Sequence, residues 1–137
     1  MQRTHIRLEP GARLEWLPLE AIAYNGCDAL NRAVFDLAPG AEMMTWDITA
    51  LGLPAADLPF AQGTFRQHME IPGVWLERGT INATDTRLMN SPLGLAGQRC
   101  MATLVFAAGS AIASERCERA LACARDLLEA SELRLTA

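Results

Sequence analysis

Between residues 3 and 83, apolar and polar positions alternate with a period of two. Within Ala29 to Leu37, Ala33, Phe35 and Leu37 stand opposite Arg32, Val34 and Asp36. Within Gly63 to Ile71, Phe65, Met69 and Ile71 stand opposite Thr64, Arg66, His68 and Glu70. The mostly apolar stretch from Met43 to Gly52 splits in the same way. Met44, Trp46, Ile48 and Ala50 share one face, which reads as the core face. Met43, Thr45, Asp47, Thr49 and Leu51 share the other, which meets either bulk water or an enclosed polar passage. Successive side chains of a strand point to opposite faces, so this pattern predicts short strands in antiparallel or solenoid sheets with one wet face.

Turn signals separate the strands. Pro10-Gly11, Asn25-Gly26, Pro39-Gly40 and Pro72-Gly73 supply the preset or positive φ that tight turns need. Leu8-Glu9-Pro10-Gly11-Ala12 recurs 29 residues later as Leu37-Ala38-Pro39-Gly40-Ala41, and each copy runs on to a tryptophan, Trp16 or Trp46. An echo of that length suits stacked strand units. Residues 84–100 carry too many breakers for an element and read as a loop. Met101 to Ala107 reads as one more strand. Ser110 or Ser114 then caps a helix reaching to about Ser131, with Cys117, Leu121, Ala124 and Leu128 as its apolar stripe. The fold class expected is mainly β: stacked strands in a β-helix or solenoid-like two-sheet architecture with one C-terminal amphipathic helix. Residues 1–137 make a single partial domain, with strands in 1–108 and the helix in 110–131.

Length and composition fit that reading. The chain has 137 residues, half of them hydrophobic and a fifth charged, enough for a single core. Lysine is absent; all twelve cations are arginines scattered along a chain of net charge −4, so no basic patch is expected and nucleic acid is an unexpected partner. No apolar run reaches transmembrane length, and Met1-Gln2-Arg3-Thr4-His5 leads straight into alternating sequence, so neither membrane nor secretion is expected and the chain reads as cytoplasmic. Cys27, Cys100, Cys117 and Cys123 form no Cys-x-x-Cys pair and are expected to be free thiols.

Enzymatic motifs are missing: there is no nucleophile elbow, no phosphate-binding loop and no His-Glu-x-x-His. Neither His5 nor His68 has a ligand at metal spacing, and His68 falls on the polar face of its strand. The candidates left are carboxylates inside apolar segments: Glu15 and Glu20 around Trp16-Leu17-Pro18, Asp47 in Trp46-Asp47-Ile48, and Glu77. Glu77 shares its strand face with Trp75, Gly79 and Ile81, and a charge there needs a partner, a metal or trapped water. An arginine salt bridge is the plainest partner. Asp47, between two threonines, reads most simply as a solvent-face residue.

Four segments together resemble the urease accessory protein family UreD, also called UreH. Leu14-Glu15-Trp16-Leu17-Pro18-Leu19-Glu20 followed by Asn25-Gly26-Cys27 resembles its L-E-W-L-P-Q-E … G-A segment. Trp46-Asp47-Ile48 with Leu51-Gly52-Leu53-Pro54-Ala55 is similar to W-D/E-I … L-G-R-P-A, and Trp75-Leu76-Glu77-Arg78 to its L-x-E-R strand. Asn90-Ser91-Pro92-Leu93-Gly94-Leu95-Ala96-Gly97 is similar to D-S-P-x-G-L-x-G. Leu19, Leu53 and Asn90 replace the usual Gln, Arg and Asp. Members are about twice as long, so the chain is expected to be a central fragment lacking the family's N-terminal region and C-terminal end.

The resemblance implies a non-enzymatic scaffold that joins UreF and the GTPase UreG on apo-urease and helps deliver Ni²⁺ in transit, with no tightly bound cofactor. A homodimer bridged by those partners is compatible with it. Carried over by motif, Asp47, Glu77 and Glu20 are the acids of a nickel passage. Hard carboxylate oxygens suit release better than a Cys/His cage. Two other readings stand beside it: a small β-rich enzyme using Asp47, Glu77 or His68 as acid–base groups, and a non-functional fragment whose acids are structural. Clustering of those groups in one pocket distinguishes the enzyme.

Overall fold

The computed structural model describes residues 1–130, with the backbone alone for 128 and 130. The chain runs β1 (Gln2–Leu8), β2 (Arg13–Trp16), β3 (Ala21–Ala23), β4 (Cys27–Leu37), β5 (Glu42–Leu53), β6 (Leu58–Pro59), β7 (Gly63–Ile71), β8 (Trp75–Asn82), α1 (Thr86–Asn90), β9 (Cys100–Ala108) and α2 (Ser114–Ala130). It is mainly β, in two sheets, neither of them closed. The first sheet has the order β1-β4-β7-β8; β1, β4 and β7 are parallel and β8 is antiparallel to β7. The second is built on β5, which pairs in parallel with β2 and then β3, and antiparallel with β9 and β6.

The 29-residue echo is the register of the stack. Gln2 lies opposite Asn31, Leu8 opposite Leu37 and Arg13 opposite Glu42, each pair 29 residues apart. The two Pro-Gly turns therefore sit one above the other, tied by Ala38 N to Leu8 O at 3.0 Å and Glu42 N to Ala12 O at 2.9 Å. The tryptophans do not share this register. Trp16 lies opposite Thr45 and packs inward, whereas Trp46 points outward and donates its Nε1–H to Pro18 O at 2.8 Å. All four expected turns close with a hydrogen bond from residue i+3 to residue i, for example Ala41 N to Ala38 O at 3.0 Å, with glycine at positive φ.

Three expectations change. Residues 84–100 are not all loop: Asp85 caps α1 by accepting Leu88 N–H at 3.0 Å, and Met89 is buried beneath it. A five-residue helix is too short for an apolar period to show. Ser110 accepts Gly40 N–H at 2.9 Å instead of capping, and α2 begins at Ser114. The stripe of α2 faces solvent: Cys117 and Leu121 are exposed and only Ala124 is half-buried. The side chain of Leu128 and the expected end at Ser131 fall outside the described residues. All four cysteines are free. No helix of the described residues is long and apolar enough to cross a membrane.

Buried apolar side chains form two clusters between the sheets. One gathers Leu8, Phe35, Met43, Met69 and Ile71; the other gathers Ala23, Leu51, Phe60, Phe65 and Met89. Each draws on both sheets, so truncation in either leaves a cavity.

Gly40→Ala tests the stacked turns. Gly40 has φ +76°, and an added Cβ would lie 3.7 Å from Gly11 N, so the cost is conformational strain and not a clash. Destabilisation of about 1 kcal/mol is expected in urea unfolding, with no change in strand content by circular dichroism.

Candidate functional site

The inward face of β5 is the face that pattern assigns to the polar side. Thr45 and Thr49 are 0% exposed and Asp47 9%, while Met43 and Leu51 at the two ends are each 1% exposed. Met44, Trp46, Ile48 and Ala50, the expected core face, lie half-buried on the outside of the second sheet. There they adjoin Leu104, which is 60% exposed, and Phe106. Asp47 is therefore not a solvent-face residue. The apolar ends of the strand reach the two clusters, and its polar middle fills the gap between them.

That gap is a belt of polar side chains crossing both sheets. In the first sheet it runs through Asn31 on β4 and Gln67 on β7, which are aligned partners, with the exposed Gln2 on β1 and Gly79 on β8 at its two ends. In the second, Thr103 on β9 is the partner of Asp47. Gln67 donates its Nε2–H to Asp47 Oδ2 at 2.7 Å, Thr49 Oγ1 donates to the same oxygen at 3.3 Å, and Asn31 Nδ2 donates to Oδ1 at 3.4 Å. Thr49 Oγ1 also lies 3.4 Å from Gln67 Oε1. These bonds join the two sheets. Among the described residues no ion pair reaches Asp47, and two neutral amides and one hydroxyl hold this buried carboxylate.

The other expected residues are spread around this belt. Glu77 sits half-buried on edge strand β8, opposite Met69, on the inward face, and no hydrogen bond or salt bridge reaches it among the described residues. The expected arginine partner is thus not found. Glu20 is exposed, in the stretch between β2 and β3 that runs beside residues 46–48. His68 is on the outer face of β7, bonded to Glu70 at 2.8 Å, and so shares no pocket with Asp47 or Glu77. Among the described residues, no three or more His, Cys, Asp or Glu side chains are placed to hold a metal ion.

Gln67 and Asn31 were missed by their residue type, although a signal exists for both. Each is a polar residue in the apolar phase of its strand, Phe65-Gln67-Met69 and Ala29-Asn31-Ala33, and pairing makes them neighbours.

A second polar contact anchors α2. Arg116 forms a forked pair with Glu42, one arm at 3.0 Å, and lies 5.1 Å from the centre of the Phe106 ring; Arg13 adds its charge 3.4 Å from Glu42. The hydrogen bond from Arg116 outweighs the desolvation that opposes it and, with the smaller contributions of the Arg116 and Arg13 charges, holds the Glu42 carboxyl below its ordinary value. The open cleft beside this pair, about 500 Å³, is lined by Arg13, Leu14, Glu15, Glu42, Met43, Met44 and Phe106 and does not include Asp47.

Fold and belt define a mainly β protein in which, among the described residues, Asp47 is the one buried carboxylate, set among neutral oxygen and amide groups. Residues 1–137 match the family described as UreD urease accessory protein. The urease accessory protein UreD of a Polaromonas species is 62% identical over 137 residues, which is 100% of this chain and 50% of that protein. Its counterpart in Albidiferax ferrireducens is also 62% identical over 137 residues. That of Leptothrix cholodnii is 50% identical over 136 residues, covering 99% of this chain and 49% of its own. The chain belongs to the UreD family of urease accessory proteins, and it spans about half the length of these relatives.

Two measurements probe these contacts. Gln67→Leu leaves the carboxylate without its shortest donor and should cost about 2–3 kcal/mol in urea unfolding. The pair Asp47→Leu/Gln67→Leu should cost less than that single change, because both partners then leave together; an equal or larger loss shows that the carboxylate does not depend on the amide. For Glu42, a lowered folded-state pKa means stability present above the ordinary value of 4.5 and lost as pH falls through the lowered one. The deficit in thermal midpoint of Arg116→Ala relative to the parent chain should therefore be present near neutrality and vanish in acid.

Proposed function

We propose that this chain serves urease maturation as a non-enzymatic accessory scaffold, working on apo-urease with UreF and UreG in the cytoplasm, and that Ni²⁺ is its cargo. The observation that carries this reading is Asp47, a carboxylate enclosed between two sheets in a chain of the UreD family. Nickel passes from the exposed Glu20 beside the β2–β3 break, to Asp47 within the belt, to Glu77 at the β8 edge. The belt supplies only hard oxygen ligands: the Asp47 carboxylate, the amide oxygens of Asn31 and Gln67, and the hydroxyls of Thr45, Thr49 and Thr103. Such donors hold a divalent ion weakly and exchange it readily, whereas thiolate or imidazole would retain it. Asp47 is the one buried carboxylate among the described residues, which limits the charge the belt can neutralise and favours transit over storage. In the same reading, the parallel stack of β1 on β4 and of β2 and β3 on β5 is a stretch of β-helix-like coil, continued in the relatives' remaining length.

Complementation provides the test. A urease operon lacking its UreD gene is supplied with this chain and, separately, with the chain extended to the relatives' full length. The extended form should restore urease activity. In that form, Asp47→Ala and Glu77→Ala should each lower the nickel content of urease while co-purification with urease and UreF is retained. Failure of the extended form even at high nickel overturns the maturation role. Loss of co-purification instead of nickel assigns the two acids to structure.

A further inference from the structure

Strand β9 pairs with β5 on one side, and among the described residues no strand lies on its other side. α2 follows it but meets the second sheet through Arg116, at Glu42 and the Phe106 ring, and does not run along that edge. The open edge is felt on both faces of the strand. Inward-facing Met101, Thr103 and Val105 stay half-buried, whereas Thr45 and Thr49 on neighbouring β5 are 0% exposed. Outward-facing Ala102, Leu104 and Phe106 are exposed, Leu104 to 60%.

A free edge presents unpaired N–H and C=O groups and recruits another strand unless something on it prevents this. The other edges carry such protection. β1 has Arg3, His5 and Arg7, β2 has Arg13 and Glu15, and β8 has Glu77 and Arg78. β3 is three residues long, and β6 is two residues long with Pro59 as one of them. β9 runs for nine residues, from Cys100 to Ala108, with neither charge nor proline. Arg99, the cation just before it, is held by Met89 O, Gln98 O and Asn90 Oδ1 and does not guard the edge.

We propose that β9 pairs antiparallel with β9 of a second copy of this chain, about a two-fold axis through Leu104. The order of side-chain sizes selects this occupant. Leu104 is the midpoint of the strand, so this register pairs all nine residues. Met101 then meets Ala107, Ala102 meets Phe106, Thr103 meets Val105 and Cys100 meets Ala108. Large side chains face small ones, threonine faces its near-isostere valine, and leucine faces leucine on the axis. Residues opposite one another share a face, so these pairs complete both the inner and the outer rows. Neighbouring registers lose the match. With the axis at Val105, Phe106 meets Leu104 and Ala102 meets Ala108; with the axis at Thr103, Ala107 falls opposite Arg99. Each copy has one such edge, and using it leaves only guarded edges, so association closes at two.

The test is the mass of the whole chain in solution, by light scattering and sedimentation over a dilution series. A dimer is expected. Leu104→Lys sets two ammonium groups face to face on the axis, at a position exposed in the single copy, and should weaken the dimer by about tenfold or more, with circular dichroism unchanged. Leu104→Asp should do the same, and mixing the two variants should restore a dimer with one copy of each. Leu121→Lys, an equal change of charge on exposed α2, should leave the dimer intact. A single-chain mass at every concentration overturns the proposal, as does a mass above two chains. So do a dimer that survives Leu104→Lys, an equal loss in Leu121→Lys, and no recovery on mixing. If the chain extended to the relatives' full length is monomeric, the added length occupies the edge and the proposal is likewise overturned.

Discussion

The interaction on which the rest of the structure depends is the solvation of one carboxylate by protein groups. Removing Asp47 from water is costly, and among the described residues no cation pairs with it to offset that cost. The chain replaces water with donors from three strands: Asn31 on β4, Thr49 on β5 and Gln67 on β7. Because two of those strands belong to the opposite sheet, satisfying the acid also fixes how the sheets face each other. Hydrogen bonds are directional in a way that apolar contact is not. The two clusters on either side set the separation of the sheets, and the belt sets their register.

Much of this organisation is legible in the sequence, and the limits of legibility have physical causes. Strand positions and the four turns follow from alternation and from Pro-Gly and Asn-Gly pairs, which act locally. The 29-residue echo carries true pairing information, because parallel stacking of successive turns repeats the same local problem. Which face of β5 points inward is a different matter. Met44, Trp46, Ile48 and Ala50 are together more apolar than Met43, Thr45, Asp47, Thr49 and Leu51, so summed hydrophobicity selects the wrong face. The decision rests with Gln67 and Asn31, far along the chain, and period-two pattern contains nothing about them except a polar residue in an apolar phase.

The elements that pattern missed or misplaced share one property, which is that tertiary contact and not local preference holds them. α1 is five residues long and exists through the Asp85 cap and the burial of Met89. α2 has a sound amphipathic pattern, yet it touches the sheets chiefly at its first turn through Arg116, Glu42 and Phe106. Helical periodicity shows that an apolar stripe exists. It does not show what the stripe meets.

The belt has a mechanical consequence as well. An apolar core is cooperative because each member removed exposes its neighbours, and that continuity is interrupted where side chains are polar and bonded to one another at short range. The Leu8–Phe35–Met43 cluster and the Leu51–Phe65–Met89 cluster are thus two reservoirs of burial threaded by the same strands but separated by a seam. Free energy of local opening is set by the contacts that are actually broken. One end of the molecule can loosen without emptying the other, and the boundary between them lies at Asp47.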